Sequence, residues 1–345
     1  SSDLVAPGIT PGSGPGHLAL FGYDPVRWLI GRGVLSALGI GFDLKKGDVA
    51  ARLNLASFDA SGNVTDRRAG RPSDEEGARV VEKVREGLSP PEGVEVFLRH
   101  VKEHRAVLVL RGRGLGADIE DTDPQETGVP PEAPRAGDEA SERTSAIVAD
   151  LLRQVRDLLA DEERIHGFLS RGYARYDGYP GVEERFGLRA AAIARYPMYR
   201  GVARLVGMDV PGVPGSDEEV LEMLEGAYRD HDFCFIHFKA PDARGEDGDF
   251  EARVAAIEAI DELIPRVTAL QPDVVAVTGD HSTPAAYRAH TWHAVPVLLT
   301  SRWARPTADS FGESSCRGGD LGRFRARHLM SLMLAHAGRL EKFGA

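Results

Sequence analysis

Apolar positions recur along the chain with two rhythms. Between 141 and 160, Ile147, Leu151, Leu152, Val155, Leu158 and Leu159 share one face at helical spacing, which predicts an amphipathic helix. From 47 to 111 the pattern shortens to β-like runs, DVAARLNLASFD and RAVLVLRGRG among them, with a helix predicted over 73–87. The stretch DTDPQETGVPPEAPRAGDEA (121–140) is rich in proline, glycine and acids and reads as a long surface loop. Beyond 185 strands and helices alternate. Leu188–Ala194 is a strand candidate, helices are expected near 198–207 and over 216–229, and the continuous apolar run of 232–240 predicts a buried strand. A helix over 250–269 carries Val254, Ile257, Ile260, Leu263, Ile264 and Val267, and 273–280 and 294–301 are further strands. At the other end, 7–25 reads as a glycine-rich loop entering a short apolar helix, and 26–40 as helix and turn.

This alternation predicts an α/β fold, a sheet with helices on both faces. It is interrupted by a smaller α+β insertion over 43–170, so that 1–42 and 171–345 form the main domain. The first residues, Ser1-Ser2-Asp3-Leu4, run almost at once into a Gly/Pro-rich loop, and a further segment is expected upstream.

Composition narrows the function. The chain has 345 residues, 42% hydrophobic and 28% charged, with a net charge of −11. That sign argues against a general nucleic-acid binder, while plentiful arginine in an acidic protein suits a small anionic substrate. Two cysteines, Cys234 and Cys316, make neither a disulfide framework nor a CxxC metal site, and a reducing cytoplasm is expected. No apolar run has the length of a membrane span. A homo-oligomer is compatible with the sequence.

Three segments carry chemistry. In TGDHSTP a strand ends directly in Asp280-His281, and His290 follows just before the next strand. Strand 232–240 likewise ends in Lys239-Ala240-Pro241-Asp242. Ligands of open α/β sheets bind beyond the carboxyl ends of strands. Each of Asp242, Asp280, His281 and His290 alone reads more readily as a capping or turn residue; together at neighbouring strand ends they suit a divalent metal with oxygen and nitrogen donors. The second segment, PGSGPGH, holds Ser13 between glycines ahead of a helix, where backbone N–H groups could serve a phosphate. The same pattern is also simply a glycine-rich helix start. The third is Asp66-Arg67-Arg68-Ala69-Gly70-Arg71, with His104-Arg105 and Arg111-Gly112-Arg113. Arginine forks match carboxylate and phosphate oxygens, though a solvated charged face is the plainer reading of any one of them.

TPGSGPGHLALFGYDP, TDRRAGR, RGRGLGADIEDTDP, KAPDARGEDGD and TGDHSTP, in this order, resemble the archaeal-type cofactor-independent phosphoglycerate mutases of the alkaline phosphatase superfamily. The resemblance implies an alkaline-phosphatase-like sheet with an inserted domain. It also implies interconversion of 3- and 2-phosphoglycerate through a phosphoserine, a step of glycolysis and gluconeogenesis, without added 2,3-bisphosphoglycerate. Two divalent metals, manganese, cobalt or zinc, are expected. On this resemblance Ser13 is the nucleophile. Asp280 and His281 ligate the metal that activates it, and Asp242 and His290 ligate the other. Asp66, Arg67 and Arg71 of the insertion contact substrate, and Arg200 sits where the family carries a basic residue near the phosphoryl group. The insertion would hold the glycerate between transfers.

The chain departs from the family at two places. The family's Asp-x-x-x-His after Asp242 has Glu246 at its fifth position here. A carboxylate can still bind a divalent ion, and is expected either to shift preference toward manganese or to weaken the site. The family also opens on an Asp-Gly motif that supplies a ligand, and none precedes Ser13. On the same scaffold, a phosphatase, a phosphonate hydrolase, a phosphopentomutase or a non-catalytic phosphometabolite binder would share most of these features.

Overall fold

The computed structural model describes residues 1–340 and 342. The chain divides into two compact units, one of residues 1–29 with 180–345 and one of residues 30–179.

The first unit opens with β1 (Ser2–Asp3) and α1 (Ser13–Leu20). The second unit follows as α2 (Arg32–Gly39), β2 (Val49–Phe58), β3 (Val64–Asp66), α3 (Asp74–Gly87), β4 (Val94–Lys102), β5 (Arg105–Gly112), α4 (Glu142–Leu158) and β6 (Gly167–Arg175). Its five strands form one antiparallel sheet in which β2 pairs with β5, β6 and β3, and β5 with β4. Along β2 the side chains alternate, so Leu53 and Leu55 join a core with Val80 and Val84 of α3 and Val148 and Leu151 of α4. Ala50 faces α2, whose Gly33 lies so close that a Cβ would stand 2.1 Å from the Ala50 carbonyl oxygen. β5 is apolar without alternation because Val107 and Val109 are as fully buried as Ala106 and Leu110. Helix α3 starts on Ser73, whose hydroxyl accepts from Glu76 N–H, a cap that contributes about 1 kcal/mol.

The insertion is wider than the span 43–170 expected from the sequence. Helix α2 packs on β2 and β6, and β6 runs on to Arg175, so both flanks belong to this unit. The 121–140 stretch also differs from a plain surface loop, because Thr122 and Asp123 are buried. Thr122 takes part in a buried hydrogen-bond group with Ser170. Asp123 accepts both Nε and Nη2 of Arg67 at 2.6 and 2.9 Å, with Arg171 Nη1 at 3.4 Å.

Burial alone would raise the Asp123 carboxyl, but the Arg67 hydrogen bonds, the Gln125 N–H and the charge of Arg171 together hold it below the ordinary range. Its folded value is depressed, so its contribution is fully present above the unfolded carboxylate range. It is lost as pH falls through the folded value. Asp123→Ala leaves two guanidinium groups without their shared carboxylate. The expected cost is about 3 kcal/mol, the lower end for a broken buried pair because Arg67 keeps some exposure. Denaturant unfolding measures it, and a loss below about 0.5 kcal/mol, the scale of an ordinary surface change, contradicts it. Asp123→Asn should in addition flatten the acid limb of the stability curve.

The chain then returns to the first unit with α5 (Val182–Phe186), β7 (Ala190–Ala194), α6 (Pro197–Leu205), α7 (Asp217–Ala227), β8 (Phe233–His237), α8 (Ala240–Asp247), α9 (Phe250–Asp261), α10 (Ile264–Ala269), β9 (Val274–Thr278), β10 (Val297–Ser301), α11 (Glu313–Cys316), β11 (Phe324–Arg325) and α12 (Leu329–His336). β7 and β8 are parallel neighbours, β9 and β10 are antiparallel, and β1 lies parallel to β11. Ala191 and Ile193 of β7 pack with Val220, Leu221 and Leu224 of α7. No residue of β8 is fully buried, in contrast to the expectation from its apolar run, because among the described residues it pairs with β7 alone. The helix expected over 250–269 is two helices, since Pro265 has no N–H for the carbonyl one turn back. Among the described residues no helix is long and apolar enough to cross a membrane.

Candidate functional site

The PGSGPGH loop delivers Ser13 as the first residue of α1, after an extended Gly12. No side chain caps this helix, so its first N–H groups and the positive end of its dipole are presented around Ser13. Gly16, one turn in, faces the turn that follows β9. A Cβ there would stand 2.3 Å from the Asp280 carbonyl oxygen, and only glycine allows this approach. The Ser13 hydroxyl thereby comes to 3.0 Å from His281 Nε2.

The Asp280 side chain is largely buried, and its Oδ2 has no hydrogen-bond partner. Two imidazole nitrogens, His17 Nδ1 and His281 Nε2, each stand 3.3 Å from that oxygen. His17 Nδ1 donates to the Ser13 carbonyl at 2.7 Å, which sets the ring between the first turn of α1 and the Asp280 carboxylate. His17, His237 and Asp280 bring ligand-type atoms within 4.8 Å of one another.

A second cluster adjoins the first. Asp242 and Glu246 lie four residues apart on α8 and so on one face. His290, in the loop between β9 and β10, stacks on His281 with ring centres 3.6 Å apart. Its Nδ1 donates to the Pro11 carbonyl at 3.2 Å, which leaves Nε2 with a lone pair. That Nε2 stands 3.8 Å from Asp242 Oδ1 and 3.5 Å from Glu246 Oε1. Asp242, His281 and His290 again gather ligand-type atoms within 4.8 Å. Imidazole lone pairs and carboxylate oxygens facing one another repel unless a cation lies between them. A backbone carbonyl behind the far ring nitrogen is the usual support of a metal-binding imidazole. The donor set and the unpartnered Asp280 oxygen therefore fit divalent metal.

Charge and burial tune these groups. Desolvation pushes both His281 and His237 below the ordinary imidazole range, so both are neutral near pH 7. Burial would raise Asp242, but hydrogen bonds from Lys239 and from the Thr283 hydroxyl hold it low, as a carboxylate. Burial works against the Lys239 ammonium, yet Tyr199 and Asp242 beside it raise its pKa overall.

Of the residues singled out in the sequence, Ser13, Asp242, Glu246, Asp280, His281 and His290 come together here. Arg200 does not touch this group. It is buried on α6 and donates to the Ala194 and Arg195 carbonyls at the end of β7, and burial followed by the charge of Arg204 lowers its pKa. Among the described residues Lys239 reaches the group, paired with Asp242. Asp66, Arg67 and Arg71 lie in the other unit. Asp66 accepts the N–H groups of Arg68 and Gly70 at 2.7 Å, shaping a turn in which Ala69, Gly70 and Arg71 all have positive φ. Sequence reading missed His17, His237, Lys239, Tyr199 and Thr283. Only His17 carried a local signal, one helical turn beyond Ser13.

A family model for 2,3-bisphosphoglycerate-independent phosphoglycerate mutase matches residues 1–164. A probable 2,3-bisphosphoglycerate-independent phosphoglycerate mutase of Thermus thermophilus is 51% identical, the match covering 99% of this chain and 85% of that protein. Relatives of the same description from Thermotoga neapolitana and Deinococcus radiodurans are 48% and 46% identical at the same coverage. Among solved structures, a Pyrococcus horikoshii protein superposes with a TM-score of 0.80 at 26% identity, over 100% of this chain and 88% of that one. The cofactor-independent phosphoglycerate mutase of Thermoplasma acidophilum gives 0.73 at 27% identity, over 98% and 90%.

Proposed function

Because the chain belongs to the 2,3-bisphosphoglycerate-independent phosphoglycerate mutases, an enzyme family, we propose that it interconverts 3- and 2-phosphoglycerate through a phosphoserine at Ser13. The observation that carries this reading is the Ser13 hydroxyl set 3.0 Å from a neutral His281, at the start of an uncapped helix and beside two clusters of metal-type ligands. The Ser13 oxygen bonds to phosphorus as the bond from phosphorus to the substrate oxygen breaks. The serine proton ends on the released glycerate oxygen. The other glycerate hydroxyl then attacks the phosphoserine, and its proton returns to Ser13.

Asp280 and His281 would hold one divalent cation next to the serine, and Asp242, Glu246 and His290 the second. Bound there, such cations lower the pKa of the hydroxyl and neutralise charge on the phosphoryl oxygens. The first N–H groups of α1 receive the phosphoryl oxygens. Lys239, held against Asp242 and 6.0 Å above the Tyr199 ring, adds positive charge where the phosphoryl group builds negative charge. Asp66, Arg67 and Arg71 are assigned to the glycerate carboxylate and hydroxyls, with Arg67 pre-ordered by Asp123. Arg200 is assigned to substrate on resemblance alone; its hydrogen bonds to carbonyls favour a supporting role at the end of β7.

Incubating the chain with 3-phosphoglycerate and manganese, and no 2,3-bisphosphoglycerate, should yield 2-phosphoglycerate with little free phosphate. Release of inorganic phosphate as the main product would replace the mutase reading by a phosphatase. No turnover with the metal bound would make the chain a binder.

A further inference from the structure

We infer that Thr283 is a positioning residue for the phosphotransfer site: its hydroxyl fixes the tautomer of His281 and ties that ring to Asp242. Its side chain is buried, with Oγ1 2.6 Å from Asp242 Oδ1 and 2.9 Å from His281 Nδ1. A carboxylate only accepts, so the single hydroxyl proton of Thr283 must go to Asp242. The hydroxyl then offers His281 only lone pairs, and Nδ1 must bring the hydrogen. That leaves Nε2 bare, 3.0 Å from Ser13 Oγ. The opposite tautomer would turn an Nε2 hydrogen toward Asp280 Oδ2 at 3.3 Å, but it would take the threonine proton for Nδ1 and leave two oxygen lone pairs opposed at only 2.6 Å, the closer and costlier clash. Donation therefore runs one way along Ser13, His281, Thr283 and Asp242. The free Nε2 lone pair is the state needed whether it takes the serine hydrogen or a cation.

The fold holds Thr283 for this task from two other sides. Its backbone carbonyl accepts from Arg253 on α9. The same oxygen lies 2.3 Å from where a Cβ on Gly245 would stand, so α8, which carries Asp242 and Glu246, closes directly onto it. Thr283 thus links the cluster around Asp242 to the cluster around Ser13.

The inference rests on the reading of Ser13 as nucleophile, and its test separates the two. Nitrogen-15 NMR of the full chain without paramagnetic metal reads the His281 tautomer with no turnover involved, and the expected form carries its hydrogen on Nδ1. Thr283→Val should mix the tautomers and lower mutase kcat about 10- to 100-fold with KM little changed, the scale seen when a support behind a ligand is removed. Thr283→Ser should restore the Nδ1–H form and most of kcat. If Thr283→Val does not fold, wild type and Thr283→Ser still decide. A wild-type His281 with its hydrogen on Nε2 overturns the proposal, as does a folded Thr283→Val protein with unchanged tautomer and kcat. The expected tautomers in a chain that turns over no phosphoglycerate would uphold the role of Thr283 and sink the mutase reading instead.

Discussion

Ser13→Ala is expected to lower mutase turnover on the order of 10⁴-fold or more, the scale on which removal of a nucleophile acts. Little else should change. Ser13 makes no capping bond for α1, and alanine is the best helix former. What the substitution removes is the side-chain hydrogen bond to His281, worth about 1 kcal/mol of stability. Unfolding curves of the two proteins should nearly coincide while their rates differ by orders of magnitude. Intact mass of wild type quenched during turnover should show one added phosphate, which peptide mapping places on Ser13 and which the alanine variant lacks. Near-normal turnover of Ser13→Ala, or a phosphate on another residue, ends the mechanism.

Removing divalent metal with EDTA should produce a loss of similar kind, about 10³-fold, since several kcal/mol of charge stabilisation are withdrawn at once. Manganese should restore the rate better than zinc. The reason is Glu246, whose carboxylate stands 3.5 Å from His290 Nε2, where the family places an imidazole. Oxygen donors suit harder ions. Glu246→His should therefore move preference toward zinc or cobalt. Calorimetric affinities of the four protein–metal pairs, wild type and Glu246→His with manganese and zinc, measure this independently of turnover. Identical affinity profiles would show that Glu246 is no ligand.

Much of this site was legible because local sequence and local geometry coincide there. A strand that ends in Asp280-His281, and a serine between glycines ahead of a helix, are chemical statements that need no tertiary contact to be read. What escaped depends on partners distant in the chain. Thr283 looked like one more turn residue, and its meaning appears only when Asp242, 41 positions earlier, accepts its proton. His237 sat in an apolar run that read as core, yet its ring stacks 3.6 Å from Tyr199 at the edge of the site. Asp123 lay in a stretch whose proline and glycine content spelled surface, and two arginines from other elements bury it. The ends of the insertion were misplaced for a related reason. Helix α2 was read as an element while strand β6 was not, and which unit each joins is decided by the sheet it packs on.

Gly16 and Gly245 carry a consequence for how variation reads at this site. Neither takes part in the chemistry, yet at each the first carbon of any side chain would fall 2.3 Å from a backbone oxygen, of Asp280 in one case and Thr283 in the other. Backbone oxygens cannot swing aside as a lysine tip can. The hydrogen atoms of these two glycines are in effect the spacers that set the gap between α1, α8 and the turn after β9. A census of tolerated substitutions should thus find positions 16 and 245 as silent as Ser13, and a search for catalytic residues by intolerance alone would return two that have no side chain to catalyse with.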